Sequence, residues 1–322
     1  MTTINRFLAQ RSFDTQAIFK ISTILFGMVV LATVVSQGIF LQPRNLVNLL
    51  SQNAILMIVS LGQLLIILLG GIDLSVGAVM AMASVLFVLY QDLGIPGAFA
   101  LALGIALVFG LINGFMVTYI RLPAFVVTLA TMQVGYSISK VFSGGGAVYT
   151  GLGGAGLPLG MKDFYQTALL GIPYPLVLCL VLAGLTALYF RSSWGHFIYT
   201  VGGNQMAAFL SGVPVRRVKI MAYIFGSLLA GLGGILFVAR VGMGDPQAGT
   251  WVPLDSIAAV SIGGASLSGG VGTVAGTIIG VIILSVLNNI MNLLGVPPTL
   301  QPAIKGVVIV IAVYLNSNRK AD

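Results

Sequence analysis

Long apolar runs, separated by short polar breaks, dominate this chain and predict an all-α, polytopic transmembrane helix bundle. A helix needs about 20 apolar residues to cross the hydrocarbon core of a bilayer. We predict about ten spans, at residues 21–40, 49–69, 74–90, 96–119, 124–142, 167–190, 220–241, 254–262 with a continuation to 267, 271–294 and 301–315. The eighth run is short and the second and third almost touch, so broken or re-entrant helices are expected at both places.

Composition agrees with a membrane protein and leaves little room for an enzyme. Hydrophobic residues make up 58% of the 322-residue chain and charged residues only 7%, whereas about a quarter of a soluble globular protein is charged. Seven acidic residues, one His and one Cys are poor material for an acid–base pair, a catalytic triad or a metal cluster, so we expect no catalytic residue, metal or cofactor. The sequence contains no Walker phosphate-binding loop, and any ATP hydrolysis therefore belongs to a separate chain.

The distribution of basic residues predicts the orientation of the chain. Cytoplasmic loops of membrane proteins are enriched in Lys and Arg, and an N-terminus inside puts ten basic residues on that side and four outside. The inner set is Arg6, Arg11, Lys20, Arg121, Arg191, Arg216, Arg217, Lys219, Arg319 and Lys320, and the outer set is Arg44, Lys140, Lys162 and Arg240. We predict one transmembrane domain with both termini inside, a cytoplasmic tail at 1–20, an extracytoplasmic loop at 143–166 and a cytoplasmic segment at 191–219. The net charge of +8 is thus an orientation signal, and no nucleic-acid partner is expected.

A short motif occurs twice and indicates an internal repeat. GGIDLS at residues 70–75 returns as GGASLS at 263–268, each time ending one apolar run and starting another. An Asn-containing patch follows each copy, LINGFM around Asn113 and LNNIMN from Asn288 to Asn292. Transporters are commonly built from duplicated halves, with the substrate path at their interface. The span count places both copies toward the same side of the membrane.

Asp73 is the most unusual single residue, because it interrupts an apolar stretch that runs from residue 54 to residue 90. A charged group at a helix centre in the membrane costs roughly 2.5 to 3.5 kcal/mol on insertion scales. Two interpretations remain open: Asp73 and Ser75 cap the following helix, or they lie beside a transport pathway. Lys305 is predicted toward the opposite membrane face and is not expected to pair with Asp73.

Several polar residues within apolar runs are candidates for lining a pathway. Each of them is equally compatible with a buried hydrogen bond between helices. The candidate set is Asn53, Gln63, Asp73, Ser75, Asn113, Asn288 and Asn289.

Glycines at intervals of four residues indicate close helix packing. Gly110 and Gly114 form one such pair, and Gly272, Gly276 and Gly280 form a longer series. Small residues at this spacing give smooth faces on which membrane helices approach closely.

Residues 191–219 form a long polar and basic interruption, RSSWGHFIYTVGGNQMAAFLSGVPVRRVK. A few polar residues suffice to return a chain to the bilayer, so a segment of this length needs another explanation. We interpret it as a docking surface on which a partner protein acts.

These motifs, in this order, resemble the membrane subunits of bacterial ABC importers for ribose and related sugars. The resemblance covers residues 45–320 and rests on GGIDLSVG at 70–77, GGN at 202–204, LSG at 210–212, VRRVKI at 215–220 and LDSIAAVSIGGASLSGGVGT at 254–273. The family also includes permeases for xylose, galactose, galactofuranose and autoinducer-2. The motifs are specific for the family and only weakly specific for the substrate.

The resemblance implies a permease of the bacterial inner membrane that works with several partners. They are a second permease subunit (identical or paralogous), ABC ATPase subunits, a periplasmic sugar-binding protein and the surrounding lipid. Residues 202–219 would form the coupling segment that contacts the ATPase, with Gly202, Gly203, Asn204, Gln205, Met206, Ala207, Phe209, Leu210, Gly212, Arg216 and Arg217 as its candidate residues. Related coupling loops often carry an acidic residue where this chain has Gln205, so we expect a more apolar contact here.

Two alternatives to a sugar importer remain. An ABC permease for another solute, such as a nucleoside or an autoinducer, would share the same motifs. A secondary transporter would need an ionisable relay within the membrane, and Asp73 without a partner argues against that mechanism.

Overall fold

The protein folds as a helical bundle, and each of the ten predicted spans contains a helix. The start of the sixth predicted span forms short strands, and the continuation of the eighth to residue 267 lies beyond the end of its helix. The computed structural model describes residues 3–149, 164–165, 167–169 and 172–317. The helices are α1 (Thr3–Val35), α2 (Pro43–Leu68), α3 (Val76–Leu89), α4 (Gly94–Phe115, extended by a π turn at Met116–Ile120), α5 (Ala124–Phe142), α6 (Tyr174–Arg191), α7 (Ser193–Gly203), α8 (Gln205–Leu210), α9 (Val215–Val241), α10 (Val252–Ile262), α11 (Val274–Leu293) and α12 (Gln301–Ser317). The prediction of an all-α bundle is confirmed.

The spans differ in length in the way that the apolar runs predict. Seven helices within the described ranges are long and apolar enough to cross a membrane: residues 18–35 of α1, and α2, α4, α5, α6, α9 and α11. The second and third predicted spans become α2 and the 14-residue α3, and the eighth becomes the 11-residue α10. The last span, α12, has 17 residues. Residues 3–20, expected as a tail, belong to the same continuous helix as the first span.

Short strands mark one end of the bundle. Strand β1 (Val148–Tyr149) follows α5 and pairs antiparallel with β4 (Met243–Gly244), which follows α9. Between α5 and α6, β2 (Ala168–Leu169) pairs with β3 (Ile172–Pro173). Helix α9 has 27 residues and is therefore about 40 Å long, so α8, which precedes it, lies at the opposite end. Much of the predicted loop at 143–166 lies outside the described residues.

The core is formed by α2, α3 and α9. Every residue of α3 from 76 to 88 is buried, and so is every residue of α2 from 54 to 68. Helix α9 packs against both of them and against α4. Glycines permit these contacts: a Cβ on Gly62 would lie 2.9 Å from the carbonyl oxygen of Gly226.

The four-residue glycine spacing marks close helix contacts, as predicted. A Cβ on Gly110 would lie 2.7 Å from Cα of Ile224 in α9. Gly276 and Gly280 of α11 pack directly against the backbone of α10. Gly272 differs from them, because it precedes α11 and is not part of that helix.

Candidate functional site

The two copies of the repeated motif form two helix breaks with the same type of helix end. After α2, Gly70 donates to Ile67 O and Gly71 donates to Ile66 O, with Gly70 at φ +73°. After α10, the same pair of hydrogen bonds runs from Gly264 to Ser261 O and from Ala265 to Val260 O, with Gly264 at φ +90°. Both ends are Schellman motifs, in which a left-handed residue that is usually glycine stops the helix. In structure Gly70 corresponds to Gly264, whereas in the aligned sequence motifs it corresponds to Gly263.

The two helix breaks are in direct contact. The N–H of Gly270 donates to the carbonyl oxygen of Leu68, at 2.9 Å. A Cβ on Gly70 would lie 3.4 Å from the carbonyl oxygen of Ser268. Both copies of the repeat therefore lie at the same end of the bundle, as the span count predicted.

The last turn of α7 packs against both breaks through Gly202. A side chain at this position would overlap the carbonyl oxygen of Leu68 and lie 2.8 Å from the nitrogen of Gly270. The next residue, Gly203, has open space at the corresponding position. The contact of α7 with both breaks is thus made between backbone atoms, with no flexible side chain between them.

Helix α8 presents an apolar face to solvent. Its first turn is capped by Asn204, whose side-chain oxygen accepts from Ala207 N at 3.0 Å, which is a common N-cap arrangement. Met206, Phe209 and Leu210 are 67%, 66% and 78% exposed. Exposed apolar residues that cluster in this way are typical of a protein contact surface.

The polar neighbours of α8 hold it against the start of α9. Gln205 Oε1 accepts a hydrogen bond from Lys219 Nζ at 2.6 Å. The residue that stands where related loops often have an acid is thus engaged within the subunit. The guanidinium of Arg216 lies 5.2 Å from the ring centroid of Tyr119, a cation–π contact that joins α9 to the end of α4.

A basic cleft of about 1140 Å³ separates α8 from the nearer helix break. Its walls come from the break at Gly70 and Gly71, the junction of α4 and α5, the exposed face of α8 and the first turns of α9. Four basic residues line it: Arg121, Arg216, Arg217 and Lys219. Helix α8 contributes Gln205, Met206 and Phe209 to its wall.

Asp73 is fully buried and bonds Ser75, the residue that precedes α3. Its Oδ1 accepts two hydrogen bonds from Ser75, one from the backbone N–H at 2.7 Å and one from the hydroxyl at 2.6 Å. These bonds order Ser75, the N-cap residue of α3, but the Ser75 side chain accepts no hydrogen bond from the first turn of the helix. The capping interpretation is therefore met only in part. Lys305 lies elsewhere and pairs with Asp255 at 3.1 Å, in agreement with the sequence.

A chain of side-chain hydrogen bonds connects this cap to α4 and α5. Asn113 Nδ2 donates to Ser75 Oγ, and Thr131 Oγ1 donates to Asn113 Oδ1, both at 2.8 Å. Thr128 Oγ1 donates to Ile72 O at 3.1 Å. The Gln63 amide, oriented so that its oxygen accepts and its nitrogen donates, bonds the backbone N–H and C=O of Asp73 at 3.2 Å each. The break between α2 and α3 is therefore fastened to three helices.

The predicted pathway residues fall into two groups. Gln63, Asp73, Ser75 and Asn113 come together in the network, and all four are fully buried in the subunit. Asn53 bonds its own helix at Leu49 O, Asn289 exchanges two hydrogen bonds with Asn45, and Asn288 is half-buried on α11. Lining of a pathway remains a prediction for all seven. The sequence reasoning missed Thr128 and Thr131, whose signal is two hydroxyls three residues apart on one apolar helix.

Loss of one donor should show how much this network contributes to stability. We expect Thr131→Val to lower the free energy of unfolding by about 1–3 kcal/mol, because the buried oxygen of Asn113 loses its partner. Thr23→Val on α1 is the matched control, since Thr23 is exposed and bonds only Phe19 O; its effect should stay within about 0.5 kcal/mol. Denaturant unfolding of the purified subunit measures both, and equal effects would contradict a fastening role.

These features define a class of protein: a multi-pass membrane protein with two helix breaks in contact and an exposed apolar helix at the same end. Residues 45–313 match the family described as a branched-chain amino acid transport system permease component. The match covers most of the chain, which belongs to this family of permeases.

Relatives with assigned names extend along nearly the whole chain. The chain is 41% identical to the ribose import permease protein of Bacillus subtilis over 300 residues, 92% of each sequence. It is 37% identical to the ribose import permease protein of Escherichia coli K12 over 318 residues, 96% of this chain and 98% of the relative. It is 33% identical to the xylose transport system permease protein of Haemophilus influenzae, over 89% of this chain and 92% of the relative. No solved structure gives a significant match.

Proposed function

We propose that this protein is the translocation subunit of an ATP-driven importer for a monosaccharide or a related polyol, with ribose as the first sugar to test. The observation that carries the proposal is the arrangement at the α8 end. The exposed apolar helix α8 directly follows α7, and Gly202 of α7 contacts the backbone of both helix breaks. Two relatives named as ribose permeases, at 41% and 37% identity over more than nine-tenths of this chain, support the choice of sugar.

The relationship to importer permeases and the exposed apolar face of α8 support the following partners. A separate ABC ATPase subunit docks on α8 through Met206, Phe209 and Leu210, with Arg216 and Arg217 at the rim of the contact. Both termini and α8 then lie in the cytoplasm, and the β1–β4 end faces a periplasmic sugar-binding protein. A second permease, identical or paralogous, completes the pathway in the inner membrane.

The contacts at the α8 end suggest how the force is transmitted. Closure of the ATPase pair moves α8 and α7, and Gly202 passes the displacement to the breaks after α2 and α10. Because ATP binding favours one of two arrangements of the membrane helices, the pathway opens toward the binding protein and resets after hydrolysis.

The buried network gives the predicted pathway residues a specific role in this cycle. Gln63, Asp73, Ser75 and Asn113 are inaccessible in the subunit as described, so they meet solute only when the break opens. In the other arrangement they keep the break closed. Asn53, Asn288 and Asn289 are proposed as further polar positions along the pathway.

Stimulation of the ATPase is the test of both class and substrate. We expect ATP hydrolysis by the reconstituted complex to rise several-fold with a ribose-loaded binding protein and to respond less to xylose. Leucine is the necessary comparison, because the description of the family names branched-chain amino acids. A response to leucine with its binding protein, and none to any sugar, would reject the sugar assignment.

A further inference from the structure

The outer face of α5 differs from the outer faces of its neighbours. The exposed positions of α4 carry Leu101, Leu107 and Leu111, and those of α6 carry Leu180 and Leu185. Such faces suit contact with lipid. Helix α5 also exposes apolar residues such as Val134 and Val141, but beside them it exposes Gln133, Ser137 and Lys140. It is the least hydropathic of the seven candidate spans.

These three residues form one continuous stripe. Their spacing of four and then three residues places them on the same side of a helix. The buried side of α5 carries Val127, Thr128, Gly135 and Ser139, which lie well away from the stripe. The stripe is therefore additional to the hydrogen-bond network that fastens α5 to the break.

The depth of the stripe argues against contact with lipid. Gln133 is near the middle of the 19-residue α5, roughly 13 Å from either end at the helical rise. An amide at that depth without a partner is costly, and its side chain is too short to reach the interface. Lys140 lies in the last turn, where its ammonium can reach water.

A dry helix seam is also a poor environment for this face. In a dry seam the mid-span amide of Gln133 would need a hydrogen-bond partner on the facing helix, because an unsatisfied buried amide is costly. Water on this face satisfies the amide, the hydroxyl and the ammonium together. Toward the α8 end, the same side of α5 continues as Val126, Leu129 and Ala130, which are exposed and apolar.

We infer that the Gln133–Ser137–Lys140 stripe lines the outer half of the translocation pathway, in a water-filled seam between this chain and the second permease. This inference rests on the proposed function and adds the surface that contacts solute. Gln133 and Ser137 each donate and accept hydrogen bonds, so they fit the hydroxyls of a neutral polyhydroxylated solute and hold it weakly. The apolar continuation toward α8 is the part of the seam that closes against water.

Single cysteines test whether water reaches the stripe. In a Cys179→Ser background, Gln133→Cys and Ser137→Cys in the assembled transporter should react with a hydrophilic methanethiosulfonate about tenfold faster than Leu107→Cys, because thiol reactivity requires access to water. Leu107 is the matched control, since it is exposed on α4 at a comparable depth. Rates at both positions that equal the Leu107→Cys rate overturn the inference.

A transport measurement separates this inference from the proposed function. Gln133→Leu should reduce ribose uptake about tenfold, equivalent to about 1.4 kcal/mol, with ATPase subunit binding unchanged, and Gln133→Asn should restore part of it. Full ribose uptake by Gln133→Leu together with unreactive cysteines rejects the stripe and leaves the importer intact. A reactive stripe in a complex that transports no sugar rejects both the proposed function and the solute class inferred here.

Discussion

Gly202→Ala is expected to reduce ATP-driven transport at least tenfold while the ATPase subunit stays bound. A Cβ at this position would overlap the carbonyl oxygen of Leu68 and crowd the nitrogen of Gly270. Since backbone atoms cannot rotate away as side chains do, α7 must separate from both breaks. Alanine stabilises a helix relative to glycine by about 1 kcal/mol. The loss of transport therefore arises at the contact of Gly202 with the two breaks and not from a weaker α7.

Gly203→Ala is the matched control for this experiment. The substitution is the same, the residue is adjacent, and open space surrounds the added methyl group. We expect transport close to that of the unmodified protein. Sugar uptake and ATP hydrolysis should be measured on the same proteoliposomes, because loss of the contact between α7 and the breaks lowers the amount of sugar transported per ATP hydrolysed. Equal transport by the two variants would show that the contact at Gly202 does not transmit force.

Phe209→Asp should weaken binding of the ATPase subunit about 100-fold, equivalent to about 2.7 kcal/mol. Phe209 is 66% exposed on α8, and buried aromatic residues at contact centres often contribute more than 2 kcal/mol. The aspartate would replace the apolar ring with a hydrated carboxylate, which must lose its water when the surface docks. Co-purification and titration of the ATPase subunit in detergent measure the effect.

Thr299→Asp adds the same charge at the other end of the bundle. Thr299 is exposed in the turn between α11 and α12, away from α8, so ATPase binding should not change. A Phe209→Asp variant that binds as tightly as Thr299→Asp would place the docking surface elsewhere.

The sequence predicted the helices well because their signal is local. Apolar length located each span, the short eighth run correctly indicated the short helix α10, and the near contact of the second and third runs indicated the break between α2 and α3. The repeated GGxxLS motif marked two helix ends, since a glycine with positive φ is a local requirement of the Schellman motif. Exposed apolar residues on α8 also agree with the expectation of an apolar contact.

Contacts between segments that are distant in the chain could not be predicted from the sequence in this way. Nothing in the sequence near Gly202 shows that it meets Leu68, because that contact depends on how α7 returns to the bundle. Polarity alone also could not separate residues that fasten helices from residues that face water. Gln63 and Asn113 are buried fasteners in the subunit, whereas Gln133, which is exposed at mid-span, was not among the predicted pathway residues.

The most direct test of the account is sugar uptake by proteoliposomes that contain the complete complex, with its energy source controlled. The account predicts ribose accumulation when ATP reaches the ATPase subunit. It predicts none when a non-hydrolysable analogue replaces ATP, even under an imposed proton or sodium gradient. Accumulation driven by an ion gradient in the absence of ATP would contradict the claim that a separate ATPase powers this permease through α7 and α8.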